Sequence, residues 1–266
     1  MRLIFRYLFC GALLLSTQSL WAQVTDDAKR LFNEFQDAIY QIRIIEKGSG
    51  NKAAIGSGFQ ISSGGLMVSN FHVVAEAVRE PENYLIEYLA ADGSRGELSL
   101  LTIDVVHDLA VLKQAEPGTS WLNLHRGQME KGARLFSLGN PHDLGMTVVV
   151  GTYNGVVEHS LYERVLISGS LNPGMSGGPS INRQGEVIGV NVSTAGNQIS
   201  FLVPVAHLQA LYASVESLTS VRADWDALIE HQLRQNQQRL VRSLLDAKWT
   251  LDPLGEVAVP SEITDY

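Results

Sequence analysis

Ser170-Leu171-Asn172-Pro173-Gly174-Met175-Ser176-Gly177-Gly178-Pro179 is a glycine-rich turn set between two short apolar runs, Arg164 to Ser168 and Pro179 to Ile181. Gly174 lies two positions before Ser176, and Gly177 and Gly178 follow it, so the backbone can close around a ligand at the hydroxyl. A nucleophilic serine needs such a place, because the oxyanion it generates must meet pre-aimed backbone N–H groups. Serine and glycine are also ordinary turn residues, and alone the stretch reads equally well as a surface loop.

Outward from this turn the chain repeats one pattern. Short β-branched and aromatic runs alternate with Gly, Asn, Asp and Pro: Tyr40 to Ile45, Ala54 to Ile61, Leu66 to Ser69, Tyr84 to Leu89, Leu98 to Val106 and Ala110 to Leu112. Beyond them come Arg134 to Leu138, Thr147 to Asn154, Arg164 to Ser168, Pro179 to Ile181, Val187 to Val192 and Ile199 to Pro204. About a dozen such strands without amphipathic helices between them predict an all-β fold, an antiparallel sandwich or barrel, and argue against a parallel α/β sheet. Asp92-Gly93 and Gln184-Gly185 supply hairpin turns.

Helices flank the β region. Thr25 can cap one that carries Leu31, Phe32, Phe35 and Ile39 on one face and ends near Gln41. Val205 to Val215 predicts a short helix closing the β region, followed by a composition shift near Ser217 to Ser220. Trp225, Leu228, Ile229, Leu233, Leu240, Leu244 and Leu245 then form an apolar stripe on a helix from about Asp224 to Ala247. Such a stripe is expected to dock on its own domain, a partner or a homo-oligomer. Pro253-Leu254-Gly255 breaks the helix, and Glu256 to Val259 adds a strand. The boundaries read as a signal peptide over 1–22, a β domain over 23–215 and a helical extension over 216–266.

Composition bounds the function. At 266 residues and 45% hydrophobic the chain is globular, and its net charge of -8 without basic clusters excludes nucleic acid and anionic membranes as natural partners. Met1 to Ala22 runs from Arg2 and Arg6 through an apolar core too short to span a bilayer comfortably, which is the order of a secretory signal. Cleavage after Ala22 predicts a periplasmic or extracellular protein without stable membrane insertion; a retained anchor is the alternative. Cys10, the only cysteine, lies in that segment, so the mature chain has neither a disulfide nor a thiol nucleophile.

A serine hydroxyl is unreactive at neutral pH unless a base takes its proton, and the base needs an orienting acid. His72 ends the run Leu66-Met67-Val68-Ser69-Asn70-Phe71-His72, an apolar setting in which an imidazole needs a polar partner. Acid candidates between His72 and Ser176 include Asp92, Asp104, Asp108 and Asp143. Asp108 opens Leu109-Ala110-Val111-Leu112 at the rim of the core; Asp104 competes, and strand parity does not separate the two. His107 reads as a bystander, since neighbouring strand side chains point to opposite faces. The order His, Asp, Ser matches one known order of the triad. His107, His125, His142, His159, His207 and His231 lack the paired spacing of a zinc site, so no metal or cofactor is expected. Asn191-Val192-Ser193 matches a glycosylation acceptor but lies on a predicted core strand.

Together, Gly56-Ser57-Gly58-Phe59, Ser69-Asn70-Phe71-His72-Val73-Val74, Asp108-Leu109-Ala110-Val111-Leu112, Ser137-Leu138-Gly139-Asn140-Pro141 and Asn172 to Pro179 resemble trypsin-like proteases of the Deg, or high-temperature-requirement, type. Gly185 to Asn191 and Ile199 to Pro204 fit the same family, and the likeness covers roughly Gln41 to Leu211. The resemblance implies two six-stranded antiparallel barrels with the active site between them. It implies His72 as general base, Asp108 as its orienter, Ser176 as nucleophile, and the backbone N–H groups of Gly174 and Ser176 as oxyanion hole. Its substrates are polypeptides.

Two departures matter. Met175 stands where the family usually has Asn or Asp, and digestive members pair that Asp with a new N-terminal ammonium; Met175 closes this route of activation. The residues after Val215 are too few for a PDZ domain beside their helix. Leu166 to Met175 contains no charge, so the specificity pocket is expected to take small or apolar side chains, with Ser170, Asn172, Val190, Asn191, Val192 and Ser193 as substrate-binding candidates. A non-hydrolytic peptide-binding or chaperone-like protein on the same scaffold is the alternative reading.

Overall fold

The computed structural model describes residues 26–141, 144–158, 160–215, 224–246, 251–254 and 257–260. Met1 to Ala22 with Cys10, Thr25, His142, Asp143, His159 and the shift at Ser217 to Ser220 lie outside the described residues.

Alternation of apolar residues closes the chain into two barrels. The first is built from β1 (Ile39–Glu46), β2 (Lys52–Gln60), β3 (Leu66–Ser69), β4 (Tyr84–Leu89), β5 (Arg95–Asp104) and β6 (Leu109–Gln114), in the order β1-β2-β3-β6-β5-β4. The second uses β7 (Arg134–Gly139), β8 (Thr147–Val156), β9 (Val165–Ser168), β10 (Pro179–Ile181), β11 (Val187–Gly196) and β12 (Ile199–Pro204), in the order β10-β11-β12-β9-β8-β7. Closure decides between sandwich and barrel, and it leaves neither sheet an unpaired edge.

Period-two patterning sends neighbouring side chains into different cores. Met67, Ala110 and Leu112 fill the first barrel, while Val68, Leu109 and Val111 face a shared core with Phe136, Leu138, Val190 and Val203 of the second. Leu135, Ile188 and Leu202 line a third core inside the second barrel. The shared core thus joins both barrels along one apolar seam.

Among the described residues four α-helices flank the barrels: α1 (residues 26–35), α2 (Phe71–Arg79), α3 (Val205–Val215) and α4 (Trp225–Asp246). α1 stops earlier than its apolar spacing predicts. A 3₁₀ turn over Gln36–Ala38 follows, and Ile39 is extended and paired with Phe59, because a place in the β1 ladder satisfies its backbone. The tail differs from expectation too: Pro253 lies within β13 (Leu251–Leu254), which among the described residues pairs with β14 (Val257–Pro260) alone, and a two-stranded ribbon tolerates a proline at an edge.

α4 docks on its own domain through its first half. Trp225, Leu228 and Ile229 pack on the first-barrel core, while the Gln232 carboxamide donates to the Ile103 carbonyl (2.7 Å) and accepts from the Val105 N–H (2.9 Å). Asn236 reaches the Tyr162 hydroxyl at 3.2 Å, so the helix also touches the second barrel. Leu233, Val241, Leu244 and Leu245 are exposed. Among the described residues no helix is long and apolar enough to cross a membrane.

Candidate active site

His72 is the second residue of α2, where backbone N–H groups have no intrahelical acceptor. Asn70 at the cap does not supply one; its side chain instead donates to the Asp108 carbonyl at 2.8 Å. The missing acceptor is the Asp108 carboxylate, whose Oδ1 takes the His72 N–H (2.8 Å) while Oδ2 takes ring Nδ1 (2.7 Å). One carboxylate thus caps the helix, complements its dipole and orients the imidazole. Asp108 holds a left-handed backbone (φ 61°), which Asp tolerates better than most residues, and this turns its side chain back toward α2. The Arg164 guanidinium at the edge of the second barrel adds attraction to Asp108 and Asp104; burial lowers its pKa and the two carboxylates oppose that.

Asp104 is committed elsewhere. Its carboxylate accepts from the Val106 and His107 N–H groups at 3.1 and 3.0 Å and from His107 Nδ1 at 2.7 Å. Burial pushes its pKa up, but these bonds together outweigh it and hold the carboxyl below its ordinary value. Strand parity left Asp104 and Asp108 level; the tight turn after Asp104 separates them. His107 is therefore tied to Asp104, and its ring stacks on His207 of α3 at 3.7 Å.

Ser176 follows a turn set by two residues. Pro173 fixes the first central position, Gly174 at φ 95° occupies the second, and the Met175 N–H closes onto the Asn172 carbonyl at 3.0 Å, giving type II geometry. Gly177 is also left-handed (φ 86°), and a Cβ there would strike the Ser57 carbonyl and Ser69 hydroxyl. The Met175 side chain is fully buried in the second-barrel core with Leu135, Ile167, Leu171 and Ile188. Apolar anchoring thus replaces the polar neighbour that the resemblance leads one to expect.

The two halves approach across β2. A Cβ on Gly56 would meet Val73, the residue after His72, at 2.6 Å and the Ser176 carbonyl at 3.1 Å. Among the described hydrogen bonds, the Ser176 hydroxyl donates to the Val192 carbonyl (2.9 Å) and not to His72. The His72 side chain is 48% exposed against 17% for Asp108, so the imidazole faces the cleft while its carboxylate is shielded.

A pocket of about 250 Å³ adjoins the hydroxyl, lined by Leu171, Asn172, Pro173, Ser176, Val192 and Thr194, without a charged side chain. Asn172 and Val192 are part of this lining, and Ser170 is exposed outside it. Val190 and Asn191 lie outside the lining and are fully buried: Val190 is in the shared core, and the Asn191 amide donates to the Leu138 and Met175 carbonyls. A register shift between Asn191 and Ser193 breaks the strand's alternation and brings Val192 and Thr194 to the pocket. Ser193 pairs through its backbone with Phe201. Leu171, Pro173 and Thr194 were not predicted; the first two stood beside the serine, whereas a bulge leaves no mark in hydrophobic pattern.

Paired six-stranded barrels, with an imidazole, a carboxylate and a hydroxyl along their junction, define the chymotrypsin-like class of fold. The model of the trypsin-like peptidase domain matches residues 56–190, and the chain belongs to that family. It is 30% identical over 174 residues to a "Probable periplasmic serine endoprotease DegP-like" of Chlamydia pneumoniae, covering 62% of this chain and 34% of that protein. It is 33% identical over 159 residues to human "Serine protease HTRA4", covering 56% of this chain and 32% of the relative. The chain thus spans about a third of the length of these curated relatives. A serine endoprotease from Yersinia pestis shares the fold, with a TM-score of 0.60, 23% identity, and coverage of 71% of this chain and 66% of the other.

Proposed function

We propose that this chain is a serine endopeptidase that cleaves polypeptides through His72, Asp108 and Ser176. The two-point grip of Asp108 on the ring and the backbone of His72 carries the reading. With Oδ2 accepting from Nδ1, the neutral ring keeps its proton there and leaves Nε2 as a base facing the cleft. Ser176 Oγ releases the Val192 carbonyl, gives its proton to Nε2 and attacks the substrate carbonyl carbon. The oxyanion accepts from the N–H groups of Gly174 and Ser176. Collapse expels the amine, which takes the proton from His72, and water admitted by the same base hydrolyses the acyl-enzyme.

The uncharged pocket supports cleavage after small or apolar residues. Residues 23–215 form the protease domain in this reading, and 216–266 a helical extension available to partners or a second copy. Export is supported by Met1 to Ala22 and by the periplasmic naming of the chlamydial relative. The resting bond from Ser176 to Val192 gives the binding-protein alternative its one specific support, since the hydroxyl is turned from the base. A fluorophosphonate probe decides between them. Labelling that vanishes in Ser176→Ala establishes the hydrolase; no labelling at any pH or with any added peptide leaves the binding scaffold.

A further inference from the structure

Ser57 belongs to the first barrel, on β2, yet it holds the serine turn of the second. Its side chain is fully buried, and a buried hydroxyl needs partners. Oγ donates to the Gly174 carbonyl at 2.7 Å and accepts the Asn140 N–H at 2.9 Å. The Ser57 N–H donates to the Ser176 carbonyl at 2.7 Å. On the other side, the Ser57 carbonyl accepts from the Ser69 hydroxyl at 2.8 Å, and Ser69 immediately precedes the cap of the helix that bears His72.

We infer that Ser57 is a positioning residue, the joint that sets the Gly174–Ser176 turn in register with His72. The inference rests on the reading of Ser176 as nucleophile and Gly174 as oxyanion donor. The turn needs such a joint because the base and the nucleophile belong to different barrels. The apolar seam between them is non-directional and fixes contact but not register, whereas the hydrogen bonds of Ser57 are directional and reach both sides. The peptide unit joining Gly174 to Met175 is held at both of its polar groups: its N–H ties to Asn172, and its carbonyl ties to Ser57. Removing the hydroxyl leaves both the Gly174 carbonyl and the Asn140 N–H without that partner, and the turn drifts by a fraction of an ångström. Substrate still binds in the pocket, so the loss falls on the chemical step.

Ser57→Ala is expected to lower kcat roughly 10- to 100-fold, less than full removal of an oxyanion donor, with KM within about twofold of the parent. Ser69→Ala, which cuts the joint on the helix side and leaves the Ser57 hydroxyl intact, is expected to shift kcat in the same direction. Crystal structures of both variants are expected to show the Asn172 to Ser176 turn displaced relative to α2. Unchanged kcat, a loss confined to KM, or a turn that stays in place in both variants overturns the inference. If the unmodified protein itself takes no fluorophosphonate, the reading of Ser176 has failed instead, and the displacement of the turn still decides the role of Ser57.

Discussion

Replacing Met175 with alanine tests what holds the serine turn. The methionine side chain is fully buried against Leu135, Val165, Ile167, Leu171, Ile188 and Leu202, and the residue lies between Gly174 and Ser176. Truncating a buried methionine to alanine costs about 2–5 kcal/mol, from lost transfer energy and the cavity left behind. The turn's remaining ties are hydrogen bonds, from its own backbone, from the Ser57 hydroxyl to the Gly174 carbonyl at 2.7 Å and from the Asn191 amide at 3.3 Å, so much of that cost falls on the turn itself. At about 1.4 kcal/mol per decade, even the lower figure shifts the turn's equilibrium about 30-fold away from the assembled form. Urea unfolding measures the global loss, and the second-order rate of fluorophosphonate labelling measures the fraction of turns in place. Both are expected to fall in Met175→Ala, while Met175→Leu, which nearly conserves volume, stays within about 1.5 kcal/mol. If Met175→Ala unfolds within about 0.5 kcal/mol of the parent and labels at its rate, apolar anchoring is not what holds the turn.

Other outcomes follow from the same geometry. Asp108→Asn, which keeps the size but loses the charge, is expected to lower kcat by about 10⁴-fold, as removal of the orienting charge does elsewhere; Asp104→Asn keeps most activity, and steady-state kinetics separates the two. His207 has its pKa lowered from the ordinary 6.5 by burial and by His107, with Arg164 acting in the same direction and Glu163 and Asp104 against it. The unfolded chain therefore binds the proton more readily, and stability is lost as pH falls from about 6.5 toward the folded value, with a slope of at most about 1.4 kcal/mol per pH unit. Urea titrations at stepped pH show this slope, and it is expected to vanish in His207→Gln. Cleavage-site profiling against the Ser176→Ala control is expected to return small and apolar residues before the cut, since an Arg or Lys in the uncharged pocket would be desolvated without a partner.

Strands were legible because burial on one face imposes period two. Leu66–Ser69, Tyr84–Leu89, Pro179–Ile181 and Ile199–Pro204 have the bounds their apolar runs suggest. The barrel seam was less so: Val68 and Met67 are equally apolar, and nothing in the pattern says that one fills a barrel and the other joins two. Motif and order bring out His72, Asp108 and Ser176 as candidates, but strand parity does not foretell that Asp108 meets His72 while a tight turn ties Asp104 to His107. Which residues line the pocket was harder to read, because the irregularity after Asn191 reverses the parity that strand reasoning relies on. Ser57 escaped notice for a plainer reason. Its role lies in contacts more than a hundred residues away along the chain, from β2 to Gly174, which no local signal records.

Asp108 at φ 61° also limits how this protein can change over time. The position screens newcomers twice, once for a backbone most residues resist and once for a carboxylate of the right reach. Glutamate keeps the charge but has a longer stem and less tolerance of that backbone; glycine relaxes the backbone and brings no acid. Asparagine, like glycine, passes the first screen with little strain, and it too fails the second. A descendant that drifts at this site thus keeps its barrels while the His72 ring loses its carboxylate, and such a copy would be recognised by one amide in an otherwise sound fold.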